Sequence, residues 1–490
     1  MITKGRKRIF TDKEVNRENI INILNESLSI HNENVSESKK LIDIYLGDQE
    51  ILKRQETDMS NINNKVVLNY AFSSERDIIG YTFGKDVEII PSSGKHRRDI
   101  KKILDIMEYE NTTTVDLEAA LMTGITGLGY YYTLPSKEIR SDYMPDIPIQ
   151  LHAADIFKTF VVRSNDIGNP VVLSVSYRSD KKYTYFTCYT DNLIYKIKSL
   201  GVNMVSSLNY EIKVEENVLG LNPIVPIENN CFLLGDFEVC ITLFNAINTI
   251  ASDSVDDVEN VIKSLLVLLG AELEEEEVPK VKKNRILQLL GTPGVNLDAK
   301  FIYQQLDAQG IKDLREYFEE AYKIILGIPD RKTRGGGGGD TGDAVELRDG
   351  WADIEIVARL KEQYLKIAKK KQLAIVIKIL QLLGYISKNV KLQDLTVKYP
   401  RNKNNNIVSK AQAFSTLHGT KALALEDELA ITNLTTDITE TAERGEHYWN
   451  SKGIETNNNA ESTDNNIIQN TEKNVDNKNS QEVDIQNKEE

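Results

Sequence analysis

The sequence predicts an α+β protein in which a mixed N-terminal half leads into long amphipathic helices. Between Gly129 and Pro226, short segments alternate apolar and polar residues and are separated by turn residues, which is typical of an antiparallel sheet. From Asp236 onward, apolar residues instead recur every three or four positions, as they do on one side of a helix. Strands and helices therefore fall in separate stretches, which is the α+β pattern.

Composition limits the class of protein. The 490 residues carry 60 Lys and Arg against 74 Asp and Glu, for a net charge of −14, and 40% are hydrophobic. No apolar run approaches the roughly 18 residues of a membrane span, and the basic, polar start predicts no secretory signal. Cys188, Cys231 and Cys240 form no CxxC or Cys/His ligand pattern, which favours a reducing compartment and argues against structural zinc.

The first 124 residues are expected to be mainly helical. Polar helices are predicted up to Leu28 and over Ser36–Leu46, ended by Gly47. The stretch Lys65–Ile90 is expected to begin as a strand, to turn helical and to be broken by glycine. The remaining predictions are helix over Ser73–Ile79, breaks at Gly80 and Gly84, strand over Val87–Ile90, and helices over Lys95–Tyr109 and Thr114–Gly124.

Three long helices are predicted in the second half. The first runs over 236–269, about 50 Å at 1.5 Å per residue, and its acidic side (Asp253, Asp256, Asp257, Glu259) is expected to be solvated. Asp256 and Glu259 share a face, but without a third ligand they are weak evidence for a metal. The second helix, Ala308–Leu326, stops before Pro329. The third runs from Asp343 to about Leu383 and ends at Gly384.

The C-terminal part is predicted to be a strand and short helices. The strand lies within Lys391–Pro400, and residues 401–406 form a polar linker. Two or three short helices are expected over Ile407–Asn450, with breaks near Gly419 and Asn433. Residues 451–490 are Asn-rich and acidic and contain no aromatic residue, so they are expected to be disordered.

No pattern in the sequence indicates catalysis. The glycine run of 335–339 is not a phosphate-binding loop, because that loop needs GxxxxGK[ST] after a strand, whereas these glycines follow a helix. Serine-hydrolase, zinc-protease and deaminase patterns are absent. The five histidines are scattered, as surface or capping residues would be. We therefore expect no enzyme, no catalytic residue, no metal and no cofactor.

Four stretches in order resemble the portal proteins of tailed bacteriophages of Gram-positive hosts. They are YLGDQEILKR (Tyr45–Arg54), NNKVVLNYAFSSERDIIGYTFGKDVEI (Asn63–Ile89), DSVDDVEN (Asp253–Asn260) and GDTGDAVELRDGW (Gly339–Trp351). The five-glycine run is longer than the family pattern, and the Asn-rich tail has no counterpart in it.

The resemblance implies a ring of about twelve copies at one capsid vertex, through which double-stranded DNA is packaged and ejected. It also implies a portal-type fold with a wing, a stem, a clip and a crown. The implied regions are a wing (1–235 and 343–406), two stem helices (236–269 and 307–326), a clip (270–306), a tunnel loop (327–342), a helical crown (407–450) and the tail (451–490).

Two groups of residues are expected to meet partners. The tunnel loop would touch DNA, although a merely solvated loop is the alternative; its residues are Arg331, Lys332, Arg334, Gly335, Gly336, Gly337, Gly338 and Gly339. The clip would dock partners through Glu274, Glu275, Glu276, Glu277, Lys280, Lys282, Lys283 and Arg285.

The implied partners are other copies of the chain, double-stranded DNA, the terminase large subunit, a head–tail adaptor, and the major capsid and scaffolding proteins, with no membrane. The expected location is the portal vertex of the virion after assembly in the host bacterial cytoplasm. Two rival hypotheses are a minor head or adaptor protein and an ATP-dependent packaging motor. The motor would need Walker A and Walker B residues, which the sequence lacks.

Overall fold

The computed structural model divides the chain into two compact units, residues 1–403 and 404–490, and each is considered by itself. The structure describes residues 5–55, 62–92, 95–136, 147–201, 205–206, 208–262, 265–269, 298–302, 308–329, 351–401, 407–420, 423–432, 434–435 and 438–451.

Seven helices are described in the first unit. The bounds are α1 Ile20–Leu46, α2 Tyr70–Thr82, α3 Arg97–Tyr109, α4 Thr112–Thr126, α5 Ile241–Ile262, α6 Ala308–Leu326 and α7 Trp351–Leu382. The two helices expected before residue 47 are one continuous helix. It ends as predicted at Gly47, whose φ of 98° is easy only for glycine. Gly80 was expected to break a helix but lies inside α2.

The strands form two larger sheets where the sequence suggested one antiparallel sheet. A six-stranded sheet has the order β1 (Ile9–Thr11), β5 (Thr159–Ser164), β6 (Val171–Ser179), β7 (Tyr183–Tyr189), β8 (Leu193–Leu200), β9 (Tyr210–Glu216). A three-stranded sheet has the order β10 (Ile224–Glu228), β3 (Leu128–Pro135), β4 (Ile149–Ala153). Within the predicted stretch every strand pair is antiparallel, as expected, whereas β1, which lies outside that stretch, pairs parallel to β5.

Each sheet has its own apolar core. The six-stranded sheet packs Phe160, Leu173 and Phe186 against Ile20 and Leu24 of α1. The larger core lies between the three-stranded sheet and α3, α4 and α7. Two short strands, β2 (Glu88–Pro91) and β13 (Leu395–Lys398), pair at the edge of that core. The sequence predicted a strand at each of these two positions.

The first long helix is shorter than predicted. After a 3-10 turn at Glu238–Cys240, α5 ends at Ile262 rather than at residue 269. Leu265–Leu269 instead form β11, antiparallel to β12 at Asp298–Ile302. An unbroken apolar run such as LLVLL fits a strand as well as a buried helix, so periodicity cannot separate the two. By contrast, α6 has the predicted bounds, and α7 ends next to Gly384, where φ is 78°.

The second unit contains three described helices, α8 (Ile407–Thr420), α9 (Leu425–Thr432) and α10 (Ile438–Ser451). They confirm the short helices expected there and their breaks. Leu429 and Ala442 are buried between them. His418 lies 2.8 Å from the carboxylate of Glu428 and joins α8 to α9.

Candidate functional site: the α5–α6 helix pair

The segment 62–69, expected to be strand-like, belongs to no sheet and runs along α5. From Asn64 to Leu68, every second backbone N–H donates to a side chain of α5, and each step forward in the segment moves one helical turn back toward the N-terminus of α5. These bonds join Asn64 to Asp256 (2.8 Å), Val66 to Ser252 (3.0 Å) and Leu68 to Asn248 (2.8 Å). Two extended residues advance ~6.6 Å and four helical residues ~6.0 Å, so the two repeats match. We call Asn248, Ser252 and Asp256 the α5 ladder.

The stretch Tyr45–Arg54 closes over the α5 ladder. Arg54 pairs with Asp253 at 2.8 Å and with Asp256 at 3.4 Å. Gln49 accepts a hydrogen bond from the Asn248 amide. Three of the four stretches that resemble portal proteins thus meet at α5, although they lie up to about two hundred residues apart in the chain.

The acidic side of α5 was expected to be solvated, and this is wrong for Asp256, which is only 8% exposed. The Asn64 amide donates to both Asp256 and Glu259 at 2.9 Å. Donors from the protein therefore satisfy the carboxylate pair that the sequence places on one face. Among the described residues, no cluster of three or more His, Cys, Asp and Glu side chains could hold a metal ion.

A buried charged cluster lies just before α5. Lys361 of α7 pairs with Asp236, which also accepts from the Asn229 amide at 2.7 Å. Glu75 of α2 is fully buried, and burial followed by the negative charge of Asp236 raises its pKa well above the usual range. A Cβ on residue 124 would lie 1.9 Å from a Glu75 carboxylate oxygen, so Gly124 provides the room for that side chain. Burial and the neighbouring Asp236 charge therefore favour the protonated form of Glu75 beside the Asp236–Lys361 ion pair.

The inner side of α6 packs through aromatic residues. The Tyr322 ring lies 4.9 Å from that of Tyr70 and 5.4 Å from that of Phe244 on α5, measured between ring centroids. The Tyr70 hydroxyl donates to Glu319 at 2.8 Å. These contacts join α5, α6 and the start of α2 into one core.

The other side of α6 is apolar and exposed. Leu314, Tyr317, Ile324 and Ile325 lie on one side of the helix, because their spacing keeps them within a third of a turn. Their exposed fractions are 47%, 65%, 73% and 54%. We call these four residues the α6 stripe. The predicted stripe of α5 behaves similarly at its C-terminal end, since Phe244 and Ile247 are buried whereas Val255 and Val258 are exposed.

The residues predicted to meet partners lie outside the described part of the chain. This applies to all eight named tunnel-loop residues (331, 332 and 334–339) and to all eight clip residues (274–277, 280, 282, 283 and 285). The described structure brings together the elements that flank them. The residues 451–490, apart from Ser451 at the end of α10, also lie outside it.

Sequence reasoning missed the buried polar groups of this region. Lys361 and Lys369 of α7 are 4% and 0% exposed, and Lys369 pairs with Asp116 at 2.8 Å. The sequence did contain a signal for these buried lysines, because each stands at a position of α7 where the helical repeat predicts an apolar residue. For the α5 ladder, the signal was the recurrence of small polar residues at 248, 252 and 256.

A family model for phage portal proteins of the SPP1 Gp6-like type matches residues 24–447. The chain belongs to the phage portal protein family. The match covers the helix pair, the three-stranded sheet, the six-stranded sheet apart from β1, and residues 404–447 of the second unit, and it confirms the family named from the four stretches. No curated protein matches the chain.

Portal-family proteins are structural components of the phage capsid, which makes this chain a virion protein of a non-enzymatic family. In the part of the portal protein that the structure describes, no helix combines the length and the hydropathy needed to span a bilayer.

Proposed function

We propose that copies of this portal protein form a ring of about twelve subunits at one capsid vertex, the conduit through which double-stranded DNA is packaged and ejected. The observation that carries the proposal is the α6 stripe. An amphipathic helix gains stability by covering its apolar side, and a contiguous apolar surface of this kind marks an interaction site. In a ring, the same surface on every copy meets its neighbour.

We keep the regions implied by the family likeness, except that the first stem helix ends at Ile262 instead of at residue 269. We propose that α5 and α6 form the stem, that the β11–β12 pair begins the clip, and that α8–α10 form the crown. The wing would comprise the sheets with α1–α4 and α7. The net charge of −14 supports a conduit rather than a DNA-gripping protein, because binding by counterion release needs cations on the protein.

The tunnel loop and the clip supply the proposed contacts with DNA and with proteins. Three cations, Arg331, Lys332 and Arg334, would touch phosphates weakly beside the five glycines. The acidic and basic runs of the clip would orient the terminase large subunit during packaging and the head–tail adaptor afterwards. Capsid and scaffolding proteins would contact the ring during assembly in the bacterial cytoplasm.

The ring is tested with Tyr317→Lys/Ile324→Lys on the α6 stripe. Purified wild-type protein should show rings in negative-stain images and a matching mass by mass photometry, and the double variant should remain monomeric. Ile167→Lys/Leu208→Lys adds the same charge at two other highly exposed apolar residues and should leave assembly intact. Rings formed equally well by the α6 variant would reject this interface, and a wild-type protein that never assembles would favour a minor head or adaptor protein.

Passage of DNA is tested separately. Changing Arg331, Lys332 and Arg334 to Ala should leave rings and thermal stability unchanged but lower the amount of DNA packaged or retained in particles. Normal, full-length packaging by this variant would show that the loop is only a linker. For the clip, Lys at positions 274–277 should weaken partner docking while rings persist, and unchanged docking would count against its role.

A further inference from the structure

The six-stranded sheet has two faces of different chemistry. One face carries the apolar residues that pack against α1. On the other face of β6–β9, the alternating residues are cations, tyrosines and hydroxyl groups around a groove of about 530 Å³. The groove is lined among others by Arg178, Tyr185, Lys196, Lys198, Glu211 and Lys213. We call this surface the basic sheet face.

Strand register places the cations side by side. Tyr185 lies opposite Arg178 on one neighbouring strand and Lys198 on the other, and Lys198 lies opposite Glu211. In the next row, Lys196 is opposite Lys213. With Lys182, Asp180 and Glu215 included, the face has five cations and three carboxylates, so it is locally positive in a chain whose net charge is −14. Such a reversal of sign favours an acidic partner.

The face already shows how it binds carboxylates. Glu215 accepts from both Lys196 and Lys213, each at 2.8 Å. These two hydrogen bonds lower the pKa of Glu215 to about 2. A carboxylate between two lysines of adjacent strands is therefore a stable arrangement on this surface, and an acidic side chain from another molecule can adopt the same geometry.

The aromatic rings position further cations. The Arg178 guanidinium lies 4.9 Å from the Tyr185 ring centroid, and the Lys198 and Lys182 ammonium groups lie 4.6 and 5.2 Å from that of Tyr183. A cation that stacks on an aromatic ring keeps its charge. The N–H groups that do not face the ring stay available as hydrogen-bond donors. Asp180 fixes the end of the face, because it accepts from the Lys182 and Tyr183 amides at 2.7 and 2.6 Å and from the Tyr185 hydroxyl at 3.0 Å.

We propose that the basic sheet face is a docking surface for an acidic polypeptide segment of another protein. The carboxylates on the face disfavour a nucleic acid, because a DNA duplex carries one negative charge per ~1.7 Å and would bring phosphates against Glu211 and Glu215. A polypeptide can place its carboxylates opposite the cations and neutral residues opposite these two glutamates. The groove runs across extended strands and can accept an extended segment, and this role does not require the proposed ring or channel.

The experiment uses the full-length protein and three labelled probes in fluorescence anisotropy. The probes are a 15-residue peptide of alternating Glu and Thr, the same peptide with Gln for Glu, and a 20-base-pair DNA duplex. The test variant is Arg178→Ala/Lys182→Ala/Lys198→Ala. The matched control, Lys39→Ala/Lys101→Ala/Lys312→Ala, removes the same charge from three exposed lysines elsewhere.

We expect saturable binding of the Glu peptide, no binding of the Gln peptide, and affinity that falls with salt. The test variant should lose about tenfold in affinity, since each exposed charge contact contributes a few-fold, and the control should lose less than twofold. Equal losses in both variants, or no binding of the Glu peptide by wild type, would overturn the proposal. If the DNA duplex binds more tightly than the Glu peptide, and the test variant loses affinity for DNA, the face is instead a nucleic-acid surface.

Discussion

The helices α5 and α6 pack against each other, but they are held by different kinds of interaction. The side chains of the α5 ladder accept hydrogen bonds from backbone N–H groups of the segment 62–69, and Arg54 pairs with Asp256 at its end. In contrast, α6 is anchored on its inner side by aromatic contacts and leaves the α6 stripe exposed. The contrast teaches that contacts within the chain fix the position of α5, whereas α6 has an apolar surface that the described residues leave exposed.

The physical reason is the directionality of the two interactions. A hydrogen bond fixes one donor against one acceptor, so three bonds at matched spacing set the register of the segment along α5. Apolar burial has no such direction, and the α6 stripe can be covered by any surface of complementary shape. Substitutions in the helix pair and in the sheet core break or sharpen this comparison, beginning with the largest expected effect.

The first tests the charged cluster at the start of α5. Asp236→Asn removes the carboxylate that pairs with buried Lys361 and should lower the free energy of unfolding by about 3–5 kcal/mol. Chemical denaturation at pH 7 measures the loss. Glu75→Gln, the matched control, replaces a carboxyl whose protonated form burial favours by an amide of similar shape and should cost far less. Equal losses for the two variants would show that both carboxylates are ionised.

Glu75 also gives a pH dependence of known sign. Its folded-state pKa is raised, so the unfolded chain releases this proton at lower pH than the folded one. The wild type should therefore lose stability as pH rises from the ordinary carboxyl range toward the folded pKa. Glu75→Gln should remove this slope, which denaturation at pH 5, 7 and 9 would reveal. An unchanged slope would mean that another group is responsible.

The second prediction concerns the α5 ladder. Asn248→Ala leaves the Leu68 N–H and the Gln49 carbonyl without their partner in a buried site and should cost about 2–3 kcal/mol. Thr249→Ala, at an exposed neighbouring position, should change stability by no more than about 0.5 kcal/mol. Hydrogen exchange at the Leu68 amide should accelerate only in Asn248→Ala. If exchange there is unaffected, the ladder does not hold the segment.

The third prediction compares the helix pair with the sheet core. His31 was expected at the surface but is buried, and its Nε2 donates to the Phe157 carbonyl at 3.2 Å. Burial lowers the pKa of His31 to about 4. Because the unfolded chain binds this proton near pH 6.5, stability should fall as pH drops, by about 2 kcal/mol between pH 6.5 and 5. His31→Gln should remove this loss of stability between pH 6.5 and 5, whereas Asn248→Ala should leave it unchanged.

The smallest effect on stability is expected at the α6 stripe. Tyr317→Lys/Ile324→Lys alters side chains that are already exposed, so the free energy of unfolding of the dissociated chain should change by no more than about 0.5 kcal/mol. Assembly should be lost in the same variant. A large loss of stability would place these residues in the fold itself and end the contrast between α5 and α6.

The sequence by itself determined the features that local chemistry controls. The helical repeat gave α6 and the long α7, Gly47 and Gly384 marked helix ends through positive φ, and the breaks near Gly419 and Asn433 separated the last helices. Four short stretches identified the family, which the match over 24–447 confirms. The residues predicted to touch DNA and partners remain predictions, since they lie outside the described part of the chain.

Only the tertiary structure decided which distant residues meet. The division into two sheets, the parallel pairing of Ile9 with Val162, the strand at Leu265–Leu269 and the burial of His31 each depend on a partner far away in the chain. Periodicity describes which side of an element is apolar, but it does not say what that side will contact. For the same reason the α5 ladder looked like an ordinary polar helix face until the backbone of residues 64–68 was found against it.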